Sequence, residues 1–189
     1  MASYYYLISS LPDLRTDGDM PMTYDEFLDM CQSNVSESKY ELLKNLTLSS
    51  EEGPLLKEWS AFYKNLMGEL NYQRSVSLGR PYLTSYDKDS VIAQVAGAAM
   101  AAKNPLEAEK ILLECEFDNL DSLVGLHTFD DRYLFGYAIK LNCLSARAVL
   151  FSQRDRRNSN VFLIRCSSAS IAYNRREFDG NSNRICNWY

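Results

Sequence analysis

The chain has a single histidine, His127, and that limits the chemistry it can do. Metal centres built from clustered imidazoles, and Ser–His or Cys–His nucleophile pairs, can draw on one ring at most. His127 therefore reads as a loop or helix-start residue. The five cysteines, Cys31, Cys115, Cys143, Cys166 and Cys186, are widely scattered with no Cys-x-x-Cys pair. An odd set spaced this way fits reduced thiols better than a disulfide framework. No cysteine stands in a recognisable activating turn, so structural thiols are expected.

The carboxylates Glu114, Glu116, Asp118 and Asp121 have the density of an acid/base or cation site, but near the end of a helix such a run reads as a solvated face. Asp13, Asp17, Gly18 and Asp19 partly imitate a calcium loop. Arg15 at its third position and Tyr24 at its twelfth spoil the ligand set, leaving an ordinary turn. Neither a Gly-x-x-x-x-Gly-Lys-Ser/Thr nor a Gly-x-Gly-x-x-Gly stretch occurs, so the usual backbone cradles for phosphates are missing. No cofactor is expected. An enzyme, a small hydrolase or metal-dependent one using Cys115, His127 and nearby acids, is the weakest of the readings considered.

With 189 residues and 46% hydrophobic content, the chain can enclose one core, or one core with a small satellite. The net charge of -5 hides an asymmetry: residues 1–151 carry 13 Lys/Arg against 22 Asp/Glu, and residues 152–189 carry 7 against 3. An acidic body argues against nucleic acid as the main ligand. The opening residues lack a cationic region and their apolar run is broken by serines, so they do not read as a signal peptide. No stretch approaches the roughly 18 apolar residues of a membrane span. A cytoplasmic protein is expected.

The elements follow from periodicity. Thr23 and Glu26 form a capping box before a short helix containing Phe27, Leu28 and Met30. A second helix is predicted over about 36–48, with Tyr40, Leu43 and Leu46 or Thr47 inward. Leu55, Trp59, Phe62, Tyr63, Leu66 and Leu70 recur at helical spacing within a long helix over 54–78, with Pro54 in its first turn. Asp87 or Asp89 can cap a helix of small and branched residues, with Val91, Ile92, Val95, Ala98, Ala99 and Ala102 expected to pack closely against a neighbour. Asn104-Pro105 restarts the chain as cap and first-turn residue, and that helix is expected to end in the acidic stretch 114–118. The last helix spans about 129–151, where Leu134, Tyr137, Leu141, Leu144, Ala148 and Phe151 alternate three and four apart as a packing seam, with Thr128 and Asp131 at capping-box spacing. Apart from a short strand that Tyr4 to Ile8 could form, an all-α packed helical bundle over 1–151 is the expected fold.

From Ser152 onward the pattern changes. Half of the last 38 residues are Ser, Asn or Arg, and none is Lys. This irregular basic tail fits either an arm that touches RNA, acidic lipid or an acidic partner, or a frameshifted translation. The codons allowed by Arg175-Arg176 and by Phe178-Asp179-Gly180 favour the frameshift. They are compatible with a ribosome-binding sequence followed by an out-of-frame stop overlapping a start.

Tyr4-Tyr5-Tyr6-Leu7-Ile8-Ser9-Ser10-Leu11-Pro12-Asp13-Leu14 resembles the opening of a family of uncharacterised bacterial proteins encoded within V-type ATPase operons. Trp59 through Gly79, with Asn65-Leu66-Met67-Gly68-Glu69-Leu70 and Tyr72-Gln73-Arg74, is similar to that family's long central helix. Phe117-Asp118-Asn119-Leu120, Phe129 and Leu134-Phe135-Gly136-Tyr137-Ala138-Ile139-Lys140-Leu141 are similar to its C-terminal helical region. The resemblance covers most of 1–151 through diffuse helix-packing patterns. It implies a cytoplasmic protein, peripheral to the inner membrane through a rotary ATPase, and more remotely a fold like the C/d subunit between the central stalk and the membrane ring. The family's final helix would continue past Phe151, and the departure here agrees with the frameshift reading.

The implied role is a non-catalytic accessory or coupling subunit of a bacterial V-type ATPase or ATP synthase, with a transient assembly or regulatory factor of the same complex as the alternative. Consecutive Tyr4, Tyr5 and Tyr6 cannot all enter one core face, and tyrosine suits interfaces because it buries a large ring and keeps a polar handle. Candidate partner-contact residues are therefore Tyr4, Tyr5 and Tyr6, together with a polar helix face at Asn65, Glu69 and Arg74.

Overall fold

A computed structural model describes residues 4–18, 20–82 and 85–154. The tail from 155 to 189, the larger part of the irregular segment, lies outside the described residues, as does Asp19. Every regular element among the described residues is helical: α1 (Tyr5–Ser10), α2 (Tyr24–Gln32), α3 (Glu37–Lys44), α4 (Leu56–Ser77), α5 (Ser90–Met100), α6 (Pro105–Val124) and α7 (Asp131–Arg154). None of these helices is long and apolar enough to cross a membrane.

The caps explain several boundaries. At α2 the Thr23 hydroxyl accepts from the Glu26 amide and the Glu26 carboxylate accepts from the Thr23 amide, so the capping box forms as predicted. Asp89 caps α5 and Asn104 caps α6, with Pro105 in the first turn. Four boundaries differ from expectation. Helix α3, predicted to about 48, ends at Lys44, with Asn45 as its C-cap. Helix α4 begins at Leu56, after Leu55 adopts a left-handed φ of 69° and Pro54 stays outside. That conformation is costly for a branched side chain, and here it turns both Leu55 and Leu56 into the core. Helix α6 does not stop in the acidic stretch but runs on to Val124, because Phe117, Leu120 and Val124 keep its apolar stripe buried. At α7 the cap is Asp130, whose Oδ1 accepts from the Arg132 and Tyr133 amides at 3.0 and 3.3 Å, and not Thr128. The segment from Tyr5 is a helix, which removes the strand alternative.

Two apolar clusters organise the bundle. The larger gathers Phe27, Leu43, Trp59, Tyr63, Leu113, Phe117, Phe135 and Tyr137 with α1 and the start of α7. Helix α7 runs through it and is buried on all sides from Leu134 to Ile139. The predicted seam of α7 is buried from Leu134 to Leu144 and Ala148 is exposed, while the side chain of Phe151 lies outside the described residues. Gly136 lets α6 and α7 approach closely, since a Cβ there would stand 2.6 Å from Val124 Cγ2. The smaller cluster joins Leu66 and Leu70 of α4 to Ile92, Ala96 and Ala99 of α5 and to Ala108 and Leu112 of α6.

Candidate partner-contact surface

The three consecutive tyrosines divide as the geometry of a helix start requires. Tyr4, just before α1, turns inward and is 5% exposed. Its amide donates to the Phe129 carbonyl at 3.0 Å, and its hydroxyl accepts from Lys39 Nζ at 3.3 Å. Lys39 also donates to both carboxylate oxygens of Asp131 at 2.6 Å, a bond that raises the lysine's pKa. One cluster thus ties α1, α3 and α7 together. Burial, with help from Asp131, pushes the Tyr4 phenol up, which fits an anchoring hydroxyl that stays protonated.

Tyr5 and Tyr6 point the other way, at 54% and 87% exposed. The Tyr5 ring lies 4.7 Å from the Phe129 ring and 5.7 Å from the Tyr6 ring. The loop that supplies Phe129 also carries Leu126, which is 99% exposed. An aromatic surface therefore forms where the first helix meets the α6–α7 connection, on a base fixed by Tyr4. Leu126 and Phe129 escaped the sequence reading as contact residues. An apolar residue between Gly125 and His127 was the available signal, because such a loop has no core of its own to fill.

The second candidate face is corrected. Glu69 lies inside, 5% exposed, and its carboxylate accepts from Tyr86 Oη at 2.6 Å and from Gln73 Nε2 at 2.7 Å. Gln73 also donates to the Ala93 carbonyl at 3.1 Å. The Tyr86 ring fits a notch at Gly68, where a Cβ would stand 2.8 Å from Tyr86 Cβ. Burial and the adjacent Glu69 carboxylate both push the Tyr86 phenol up. Gly68, Glu69 and Gln73 thus form a lock that straps the α4–α5 connection onto α4 and fixes α5. Asn65 and Arg74 are half-buried. A helical wheel cannot see this, because Tyr86 arrives from outside α4.

Among the described residues, the groups that could do chemistry lie apart. His127 is paired with the Asp130 carboxylate in the exposed loop before α7. Cys115 is half-buried on α6, where burial, followed by Glu116, Asp118 and Asp89, pushes its thiol up to about 11. Those neighbours disfavour the thiolate that a nucleophile needs. Cys31 is buried and pushed up to about 12 by desolvation. Among the described residues no group of three or more His, Cys, Asp or Glu side chains could hold a metal ion. Asp13 of the calcium-like loop is paired instead with Arg15 at 3.1 Å.

No family model, curated protein or solved structure matches the chain.

Proposed function

We propose that this chain is a non-catalytic accessory or coupling subunit of a bacterial V-type ATPase or ATP synthase, working by contact through a rigid helical body. The observation that carries the contact role is the exposed aromatic surface of Tyr5, Tyr6 and Phe129, held on a base that is itself anchored by Tyr4, Lys39 and Asp131. Large rings presented on a preordered base can bury area in a complex at small entropic cost. The identity of the partner rests on the resemblance in 4–14, 59–79 and 117–141 to proteins encoded with these ATPases. A thiol pushed up by burial among acids and a histidine hydrogen-bonded to Asp130 in a loop also favour contact over catalysis.

The test is co-purification of the full chain with the ATPase from membranes in gentle detergent, comparing the native sequence with Tyr6→Ser. Retention at fixed stoichiometry, lost in the variant, is expected of a subunit. Substoichiometric recovery would point to an assembly or regulatory factor, and clean absence of the native chain would refute the reading.

A further inference from the structure

Away from the aromatic surface, the start of α5 and the middle of α6 border a cleft of about 580 Å³. Its apolar wall comes from Phe62 of α4, Val91, Ile92 and Val95 of α5, and Ile111 of α6. Contrary to the close packing expected of them, Val91 is 64% exposed and Ala98 is exposed too, because the α5 residues buried against α4 and α6 are Ile92, Ala96 and Ala99. Asp89, Glu114 and Asp118 stand around this wall, all exposed. On α6 the spacing of Ile111, Glu114, Cys115 and Asp118 puts them on one face, and Asp89 lines the same cleft.

The cations nearby neutralise this rim only in part. Lys110 pairs with Glu114 at 3.7 Å, while Lys88 lies 4.8 Å from the centre of the Tyr72 ring, which leaves Asp89 and Asp118 in excess. Asn119, also in the wall, has an Oδ1 that finds no donor among the described residues. The cleft thus combines uncovered aliphatic surface with an excess of carboxylates.

We propose that this cleft docks a basic amphipathic helix of a partner protein, its aliphatic side chains entering between α5 and α6 and its lysines or arginines meeting Asp89, Glu114 and Asp118. Apolar anchors at helical spacing supply the area for such a contact, and the charged rim supplies steering and register. Charge decides against a second copy as occupant. Residues 1–151 carry 22 Asp/Glu against 13 Lys/Arg, so two such bodies repel. The proposal does not depend on the ATPase reading.

The test uses the full chain and a synthetic helical peptide with leucines at i, i+3, i+4 and i+7 flanked by lysines. A twin peptide has every lysine replaced by glutamine. Calorimetric titration at low ionic strength should show the lysine peptide binding about tenfold tighter than its twin, with the advantage shrinking as salt is added. Asp118→Asn combined with Glu114→Gln should remove most of that advantage. Val91→Gln, at an exposed position that the fold tolerates, should weaken both peptides alike. Equal binding of the two peptides, no binding of either, or binding unchanged by these variants would overturn the proposal. So would sedimentation showing a dimer that Val91→Gln dissolves, or displacement of the lysine peptide by a peptide of residues 155–189.

Discussion

Along α4, Trp59 and Tyr63 enter a core of interlocked rings, whereas two turns later Leu66 and Leu70 enter a core floored by Ala96, Ala99 and Ala108. In the first region the Trp59 ring lies 5.7 Å from Tyr63 in a stacked arrangement, and its Nε1 donates to the Leu48 carbonyl at 2.9 Å. Large side chains there fill space and also pin the chain before α4. In the second region small residues bring the helices close, and the pinning is left to a polar lock of Glu69, Gln73 and Tyr86. One helix is therefore held by volume at one end and by close approach plus hydrogen bonding at the other. The two ends should fail by opposite kinds of substitution.

Trp59→Ala should be the most damaging single change, costing about 3–5 kcal/mol in urea denaturation, since it empties a fully buried site. Ala96→Leu should cost about 1–3 kcal/mol by overpacking, at a position that is also fully buried. If the two regions were packed alike, enlarging a small residue in the alanine-floored core would be tolerated. Tyr86→Phe should follow at about 1–2 kcal/mol, because it leaves the Glu69 carboxylate short of a donor in a buried place. Hydrogen exchange should then rise in α5 more than in α7.

Tyr6→Ser should change stability by less than about 0.5 kcal/mol, as expected for a side chain that is 87% exposed. Its effect should appear only in partner retention. Acid should act most gently. The Glu26 carboxyl is held low by the Thr23 amide and hydroxyl, Glu51 by Lys64, and Glu58 by Arg132. Asp130 is held low against the opposing effect of its own burial by His127 and two backbone amides. Depressed carboxyls stabilise fully above their unfolded values of 4.5 for glutamate and 3.8 for aspartate, and that help is lost as pH falls through the folded values. All four sit on segments enclosing the ring-rich core, so a urea midpoint measured below the carboxylate range should drop with earlier loss of protection in α2 and α7 than in α5.

Much of this was legible because it is local. The Thr23–Glu26 box and the Asn104 cap are written within one helical turn and formed as read. Asp89 is the cap of the two candidates Asp87 and Asp89, and Trp59, Tyr63, Leu66 and Leu70 of the predicted stripe are buried. The errors came where a distant partner intervened. The acidic stretch of α6 looked like a helix end, but Phe117 and Leu120 pack into the ring-rich core and carry the helix onward. Glu69 looked like part of a polar face until Tyr86, which lies 17 positions later, covered it. Of the six candidate contact residues, Tyr5 and Tyr6 reach the surface, Tyr4 and Glu69 are buried, and Asn65 and Arg74 lie between.

The sequence alone determined that α2 to α7 are helices and where several of them begin, because caps and apolar spacing act over a few residues. It also determined that the chain has a single imidazole and an acidic body, since those are counts. Only the tertiary structure decided which tyrosine anchors and which stays in solvent, and that a glutamate on α4 belongs inside. It likewise placed Phe129 of the α6–α7 loop beside the first helix. Those outcomes depend on which surfaces meet after the chain folds back on itself, and burial is a property of the meeting and not of either segment.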